Sequence, residues 1–373
     1  MFTTWGTISV IFFTSISIFL LIFLKRIYAN RQFDIKPLLV IFVMISLRLA
    51  LPLEIEILSH FSSTRILVFL NDLLTTEIIY GYTLFNLLIF LWVFISSIKL
   101  INLIRKTYLT YRLFSIFPSI QLSNDILLSL NDFIPKRRKI NVICVDFISA
   151  PMVIGFIKCT IILPKRTYSK EELSLILQHE LTHFRNHHIW IKLLIEIIYA
   201  LYWWNPLLLM MRKQTYELLE KDVDISVLKA NKTNVATYAK FLLKMYKEAC
   251  EHETQSNVTW KKSPLISEFA RNKSQSEFIK RCQLILTYNN VCIHQTLNKA
   301  FYIILLAIVV SVSFVTIQPS YPLPTEDDYF ILTNDNTYLI KSKQGFDVYY
   351  ENKYLETITN ITSEYEHLTI RSK

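Results

Sequence analysis

Ser169-Lys170-Glu171-Glu172-Leu173-Ser174-Leu175-Ile176-Leu177-Gln178-His179-Glu180-Leu181-Thr182-His183 is the stretch on which the reading of this chain turns. Ser169 with Glu172 three residues on makes a capping box, and Leu173, Ile176, Leu177 and Leu181 then recur at helical spacing. A helix through this stretch puts His179 and His183 one turn apart on one face, where both imidazoles can grip the same zinc ion. Glu180 lies beside them. Its carboxylate can take the proton of a water attacking a peptide carbonyl that the metal polarises.

HExxH also arises by chance in helices, so the reading needs a third ligand and an open coordination position. The next helical stretch with candidates is Glu217-Leu218-Leu219-Glu220-Lys221-Asp222-Val223-Asp224. Glu220 and Asp224 are one turn apart, so one carboxylate can bind the ion while the other holds a liganding histidine by hydrogen bond. Glu217 and Asp222 stay open as substitutes. Between the two helices, Ile189 to Met211 is apolar apart from Lys192, Glu196 and the break at Asn205-Pro206. It is long enough to cross a bilayer, but crossing would put Glu180 and Glu220 on opposite sides. It is therefore read as buried against, or dipping into, the inner face of the membrane. Upstream, Asn141–Val145 and Thr160–Leu163 are β-like runs around Ala150-Pro151 and Gly155, so a small sheet precedes the motif.

The rest of the chain is unlike a soluble enzyme: of 373 residues 52% are hydrophobic, and the mean hydropathy is +0.33. Four segments, roughly 5–24, 37–57, 78–100 and 300–317, are apolar over the ~20 residues that a membrane helix needs. The first is read as a retained span, because no basic leader or cleavage site marks it as a signal peptide. The second carries Arg48, read as pairing with Glu54 or Glu56. Lys25, Arg26, Arg31 and Lys36 place the first loop inside, and the second loop, with Arg65 against Asp72, lies outside. Arg105, Lys106, Arg112 and Lys136–Lys139 then place residues 101–298 in the cytoplasm. The net charge of +10 is accounted for by these segments, so no direct nucleic-acid binding is expected.

The fourth span leads out to a tail, 318–373, with nine acidic and five basic residues. Tyr329–Leu332 with Thr337–Ile340, and Val348–Tyr350 with Tyr354-Leu355, read as two short β-hairpins. So small a domain has little core and is expected to lean on the membrane, a second copy or a ligand. The four glycines are scattered, which argues against a phosphate-wrapping loop. Five cysteines without CxxC spacing, all in the segment assigned to the cytoplasm, read as free thiols rather than a thiolate metal site. The fold class is thus an integral membrane α-helical protein of four spans, with a cytoplasmic α+β zinc peptidase domain and a small extracellular β tail. The divisions are 1–100 (three spans), 101–298 (peptidase domain), 299–317 (fourth transmembrane helix) and 318–373 (tail).

Together with this layout, Ala150-Pro151-Met152-Val153-Ile154-Gly155, Ile161-Ile162-Leu163-Pro164, His179–His183, Tyr202-Trp203-Trp204-Asn205-Pro206-Leu207 and the Glu220–Asp224 pair resemble the membrane metallopeptidase family of BlaR/MecR antirepressors, which sense β-lactam antibiotics. The resemblance covers residues 1–298 and the fourth span. It implies a gluzincin site: one Zn2+ per chain held by His179, His183 and Glu220, with Glu180 as base. Asp224 is expected to hold a liganding histidine, and His188 stands where the family often has Asp. Val223 replaces a frequent Cys.

The family's antibiotic sensors carry an external penicillin-binding domain with a Ser-x-x-Lys nucleophile. Residues 318–373 are too short for one, and Ser320, Ser342, Ser363 and Ser372 lack the lysine. The resemblance therefore implies regulated proteolysis without the antibiotic: an outside stimulus, relayed through the spans, leads to cleavage of a cytosolic protein, a transcriptional repressor or the chain itself. The alternatives are a constitutive quality-control membrane peptidase and a non-catalytic receptor or immunity protein. The bilayer is a partner, and a second copy forming a homodimer is a candidate partner.

Overall fold

A computed structural model describes residues 4–27, 35–50, 60–63, 66–79, 81–130, 133, 140–231, 235–253, 267–268, 275–287, 302–303, 306–307, 309, 311, 315–319, 337–342, 345–350, 353–358, 365 and 368–371. The chain divides after Pro319 into two compact units, Met1–Pro319 and Ser320–Lys373.

The first unit opens with two apolar helices, α1 (Thr4–Ile27) and α2 (Ile35–Ala50). The hydroxyls on α1 turn back onto its own backbone: Ser9 donates to Trp5 O (2.7 Å), Thr14 to Val10 O (2.6 Å) and Ser17 to Phe13 O (2.9 Å). These bonds let polar side chains sit in an apolar helix without exposing an unmet donor. Arg48 lies half-buried in the last turn of α2, and Glu54 and Glu56, its expected partners, fall outside the described residues. Next come β1 (His60–Ser63), the short apolar α3 (Ile66–Thr75) and a tight hairpin of β2 (Glu77–Ile79) and β3 (Tyr82–Thr83). Thr83 caps the long α4 (Leu84–Ser115) by accepting from Asn86 N–H.

Two helices among the described residues, Trp5–Phe23 and Leu84–Ser115, are long and apolar enough to cross a membrane, both at mean hydropathy 2.3. The span expected at 78–100 is displaced. Its first residues form the β2–β3 hairpin, and the helix runs on through Arg105, Lys106 and Arg112. At 1.5 Å per residue its 32 residues extend about 48 Å, longer than the roughly 30 Å of hydrocarbon in a bilayer. α2 has 16 described residues, and residues 51–57 of the second expected span lie outside the description. The fourth expected helix cannot run to Ile317. Thr316–Pro319 is a strand, β8, paired in parallel with β1 and fixed to α1 by Ser9, whose Oγ accepts from Ile317 N–H at 2.8 Å.

Beyond α4 and the single-turn α5 (Asn124–Ser129), a small sheet forms in the order β4 (Ile140–Val145), β6 (Cys159–Pro164), β5 (Met152–Ile154), β7 (Ser267–Glu268). β4 and β6 are parallel, while β5 and β6 form a hairpin. Gly155 turns that hairpin at φ +103°, where an added Cβ would stand 2.1 Å from Lys158 O. Every residue of β6 is buried, and the two-residue period decides what covers it. Ile161 and Leu163 join the core that includes Ile176, Leu177 and Leu181 of the next helix, whereas Ile162 packs with Phe114 from the far end of α4.

That next helix is α6 (Lys170–Arg185), which carries the complete Ser169–Glu172 capping box. It is followed by α7 (His188–Leu201), α8 (Pro206–Asn231), α9 (Val235–Glu253) and α10 (Gln275–Thr287). The apolar stretch 189–211 is therefore two helices with a turn at Tyr202–Asn205. Asn205 caps α8 by accepting from Leu207 N–H (3.0 Å), with Pro206 at the first helical position. The turn is tied to the N-terminal helices: Asn205 donates to Ser15 Oγ (2.8 Å), Tyr202 to Leu49 O (3.0 Å) and Trp92 to Leu201 O (2.6 Å). One apolar cluster runs from Ile18, Ile41, Phe42 and Ile45 to Ile195, Ile198, Leu218 and Leu219.

In the second unit, a four-stranded sheet has the order β11 (Lys353–Ile358), β10 (Gly345–Tyr350), β9 (Thr337–Ser342), β12 (Thr369–Arg371). The expected hairpin around 351–353 is the β10–β11 pair. Thr337–Ile340 pairs instead with β10 and β12, and Tyr329–Leu332 lies outside the described residues.

Candidate metal centre

α6 and α8 pack side by side, and their buried faces meet at His179, His183 and Glu220. One ligand atom from each lies within 4.8 Å of the others. Glu220 Oε1 is 3.6 Å from His183 Nε2, and Oε2 is 3.8 Å from His179 Nε2. Two donors about 2.1 Å from a zinc ion at the tetrahedral angle stand roughly 3.4 Å apart. The two histidine–glutamate separations are close to that value, and the nitrogen, nitrogen and carboxylate donor set suits zinc. Burial lowers the proton affinity of His179 and, more strongly, of His183, which keeps both imidazoles neutral, the form that binds a metal. Glu180, between them in sequence, is completely buried.

Each histidine is also held from behind. Nδ1 of His179 is 3.3 Å from the Tyr238 hydroxyl and 3.6 Å from Asp224 Oδ1, and Tyr238 itself donates to that oxygen at 3.1 Å. Burial, helped by Asp224, raises the pKa of Tyr238 well above its ordinary value, so its hydroxyl stays protonated. Arg281, from α10, grips Asp224 through two hydrogen bonds and places Nη1 3.3 Å from Glu220 Oε2. Behind His183 stands His188, with Nδ1 3.1 Å from Nδ1.

Glu220 and Asp224 thus take separate places, the first among the two histidines and the second behind His179. Asp222, open in the sequence as a substitute ligand, turns to His188 and Asn186 instead. Glu217 is half-buried and belongs to no such group among the described residues. The sequence reading missed Tyr238 and Arg281. Arg281 did leave a signal: with Phe278 and Ile285 it occupies positions i, i+3 and i+7 of α10, and all three are buried. An arginine on an apolar stripe requires a buried acid. Cys144, Cys159, Cys250 and Cys282 are free thiols, and Cys292 is outside the described residues.

The family model described as BlaR1 peptidase M56 matches residues 5–269. The methicillin resistance mecR1 protein of Staphylococcus aureus is 32% identical over 101 residues, 26% of this chain and 17% of that protein. The regulatory protein BlaR1 of Bacillus licheniformis is 33% identical over 84 residues, 22% of this chain and 14% of that protein. The matched parts therefore span less than a fifth of these relatives. With the family match extending from the first apolar helix through the metal-type centre to the sheet edge, this chain belongs to the BlaR1 peptidase M56 family.

Proposed function

We propose that this chain is a membrane-embedded zinc metalloendopeptidase of regulated proteolysis, cutting a cytosolic transcriptional repressor or its own chain in response to an outside stimulus. The observation that carries it is the meeting of His179, His183 and Glu220 in one buried group, with the buried Glu180 next to His179 in the same helix. Zinc held by these three residues would supply Lewis acidity to a peptide carbonyl. Glu180 accepts the proton of the attacking water and returns it to the leaving amine. Tyr238, Asp224 and Arg281 hold His179 and Glu220 in place, and the apolar packing around them keeps bulk water out.

The substrate's path is suggested by the sheet. β5 lies beside α6, and its outer edge accepts an extended segment: Val153 pairs with Ser267 and Met152 with Glu268, antiparallel. Strand addition of this kind supplies main-chain hydrogen bonds without demanding a particular sequence. That the segment comes from this same chain supports self-cleavage.

Four spans remain the reading of the apolar segments, with the zinc domain inside and the tail outside, on the distribution of basic residues. The test is to express the parent and Glu180→Gln in membranes and follow fragments of the chain and of candidate repressors. Fragments present only with the parent are expected. The same fragments from both would overturn the proposal.

A further inference from the structure

The turn that joins α6 to α7 brings a second histidine onto a liganding one. α6 ends at Asn186, and His187 takes the left-handed conformation (φ 57°, ψ 27°), so the chain reverses within two residues. His188 then opens α7 with its ring edge-on to that of His183, centroids 5.1 Å apart. Both rings are buried.

The hydrogen bonds run in one direction from there. His188 Nδ1 meets His183 Nδ1 at 3.1 Å, and His188 Nε2 faces Asp222 Oδ2 at 3.4 Å. That carboxylate oxygen also accepts from Asn186 Nδ2 at 2.8 Å. An ionised carboxylate can only accept, so the proton of a neutral His188 sits on Nε2. Its Nδ1 is then a bare acceptor, and the proton facing it belongs to Nδ1 of His183. The lone pair of His183 is thereby left on Nε2, the atom that faces Glu220 Oε1.

We infer that His188 and Asp222 form a two-residue relay that fixes His183 in its metal-binding tautomer, with Asp222 acting as the distal carboxylate through His188. His188 and Asp222 are positioning residues that touch no substrate. The arrangement parallels the other ligand, where the Tyr238 hydroxyl stands between His179 and Asp224. Each liganding histidine is thus backed by a carboxylate through one intervening side chain, and partners of this kind orient the ring and raise its basicity. The two carboxylates come from one helix, Asp222 and Asp224 of α8 both following Glu220 within the next turn.

The inference rests on the zinc-site reading, and the experiment separates the two. Zinc affinity is measured by chelator competition on the full-length protein in detergent, for the parent, His183→Ala, His188→Leu, His188→Gln, Asp222→Ala and the double variant His188→Leu/Asp222→Ala. His188→Leu should weaken zinc by about 10–100-fold. His188→Gln should stay within a few-fold of the parent, because its carbonyl accepts from His183 while its amide donates to Asp222. The double variant should lose no more than His188→Leu alone, since both substitutions break one relay. His188→Gln also guards against misfolding: a Gln variant as weak as Leu overturns the relay. So does a double variant that loses the two single effects in full, or a His188→Leu variant that binds zinc like the parent. A parent that binds no zinc, or loses none in His183→Ala, overturns the metal centre itself.

Discussion

Arg281 holds Asp224 at both oxygens, Nε to Oδ2 at 2.9 Å and Nη2 to Oδ1 at 2.8 Å. The contact joins α10 to α8, and Arg281 is only 3% exposed. Removing one partner of a buried pair leaves the other charge without compensation, at about 3–5 kcal/mol. Arg281→Ala should therefore lower the melting temperature sharply. Arg281→Lys should recover only part of it, because a point charge cannot reproduce the two-pronged grip. Thermal unfolding of the detergent-solubilised protein checks this, and an unchanged midpoint in Arg281→Ala would count against the pair as a structural link.

The buried imidazoles predict the sign of the acid response. Burial lowers the proton affinity of His179, His183 and His188 below the ordinary value of 6.5. The unfolded chain therefore binds these protons more readily. Their contribution is complete above about pH 6.5 and is lost as pH falls below it. Burial alone would raise the Asp222 pKa, but hydrogen bonds from His188 and Asn186 outweigh it, so Asp222 adds a loss only below 3.8. Zinc-free protein should show a flat melting temperature from about pH 7 to 8 and a steady fall from about 6.5 to 5. A rise over that acid interval would contradict the burial argument.

Gly155 should tolerate no side chain. At φ +103° an added Cβ meets Lys158 O at 2.1 Å, and that atom belongs to the backbone of the same hairpin. Gly155→Ala is expected to cost more than ~1 kcal/mol through both strain and displacement. The β5–β6 pair would be disturbed first. A lower melting temperature and weaker protection of Val153 and Ile161 amides in hydrogen exchange are the signatures to measure.

Asn205 has two separable duties, capping α8 through Leu207 N–H and tying the α7–α8 turn to Ser15 on α1. Asn205→Ala should lose about 1–2 kcal/mol. Asn205→Ser keeps an N-cap acceptor but is too short to reach Ser15, so it should recover the cap portion alone. Denaturation midpoints of Asn205→Ala, Asn205→Ser and Ser15→Ala resolve the two contributions.

Local rules carry much of the architecture. The capping box at Ser169, the i, i+4 pair His179 and His183, the Pro206 break and the β-runs before the motif depend on residues a few positions apart, and they can be read without knowing what packs against them. The same local reading fails at the ends of the apolar segments. Hydropathy registers apolar side chains but not the hydrogen-bond pairing that turns 77–83 into a hairpin and 316–319 into a strand.

The sequence by itself determined that one helix presents two histidines and a glutamate, because a helical period leaves no other arrangement of HExxH. Spacing alone left open which carboxylates stand beside them, and the tertiary structure decided it. Glu217, Glu220, Asp222 and Asp224 share one helix and similar chemistry, and helical spacing cannot rank them. The packing of α8 on α6 turns Glu220 to Nε2 of His179 and of His183, Asp224 to the rear of His179 and Asp222 to His188. Tyr238 and Arg281 enter from helices further along the chain, brought there by burial of the apolar faces around them, a non-local force that leaves no fixed spacing in sequence.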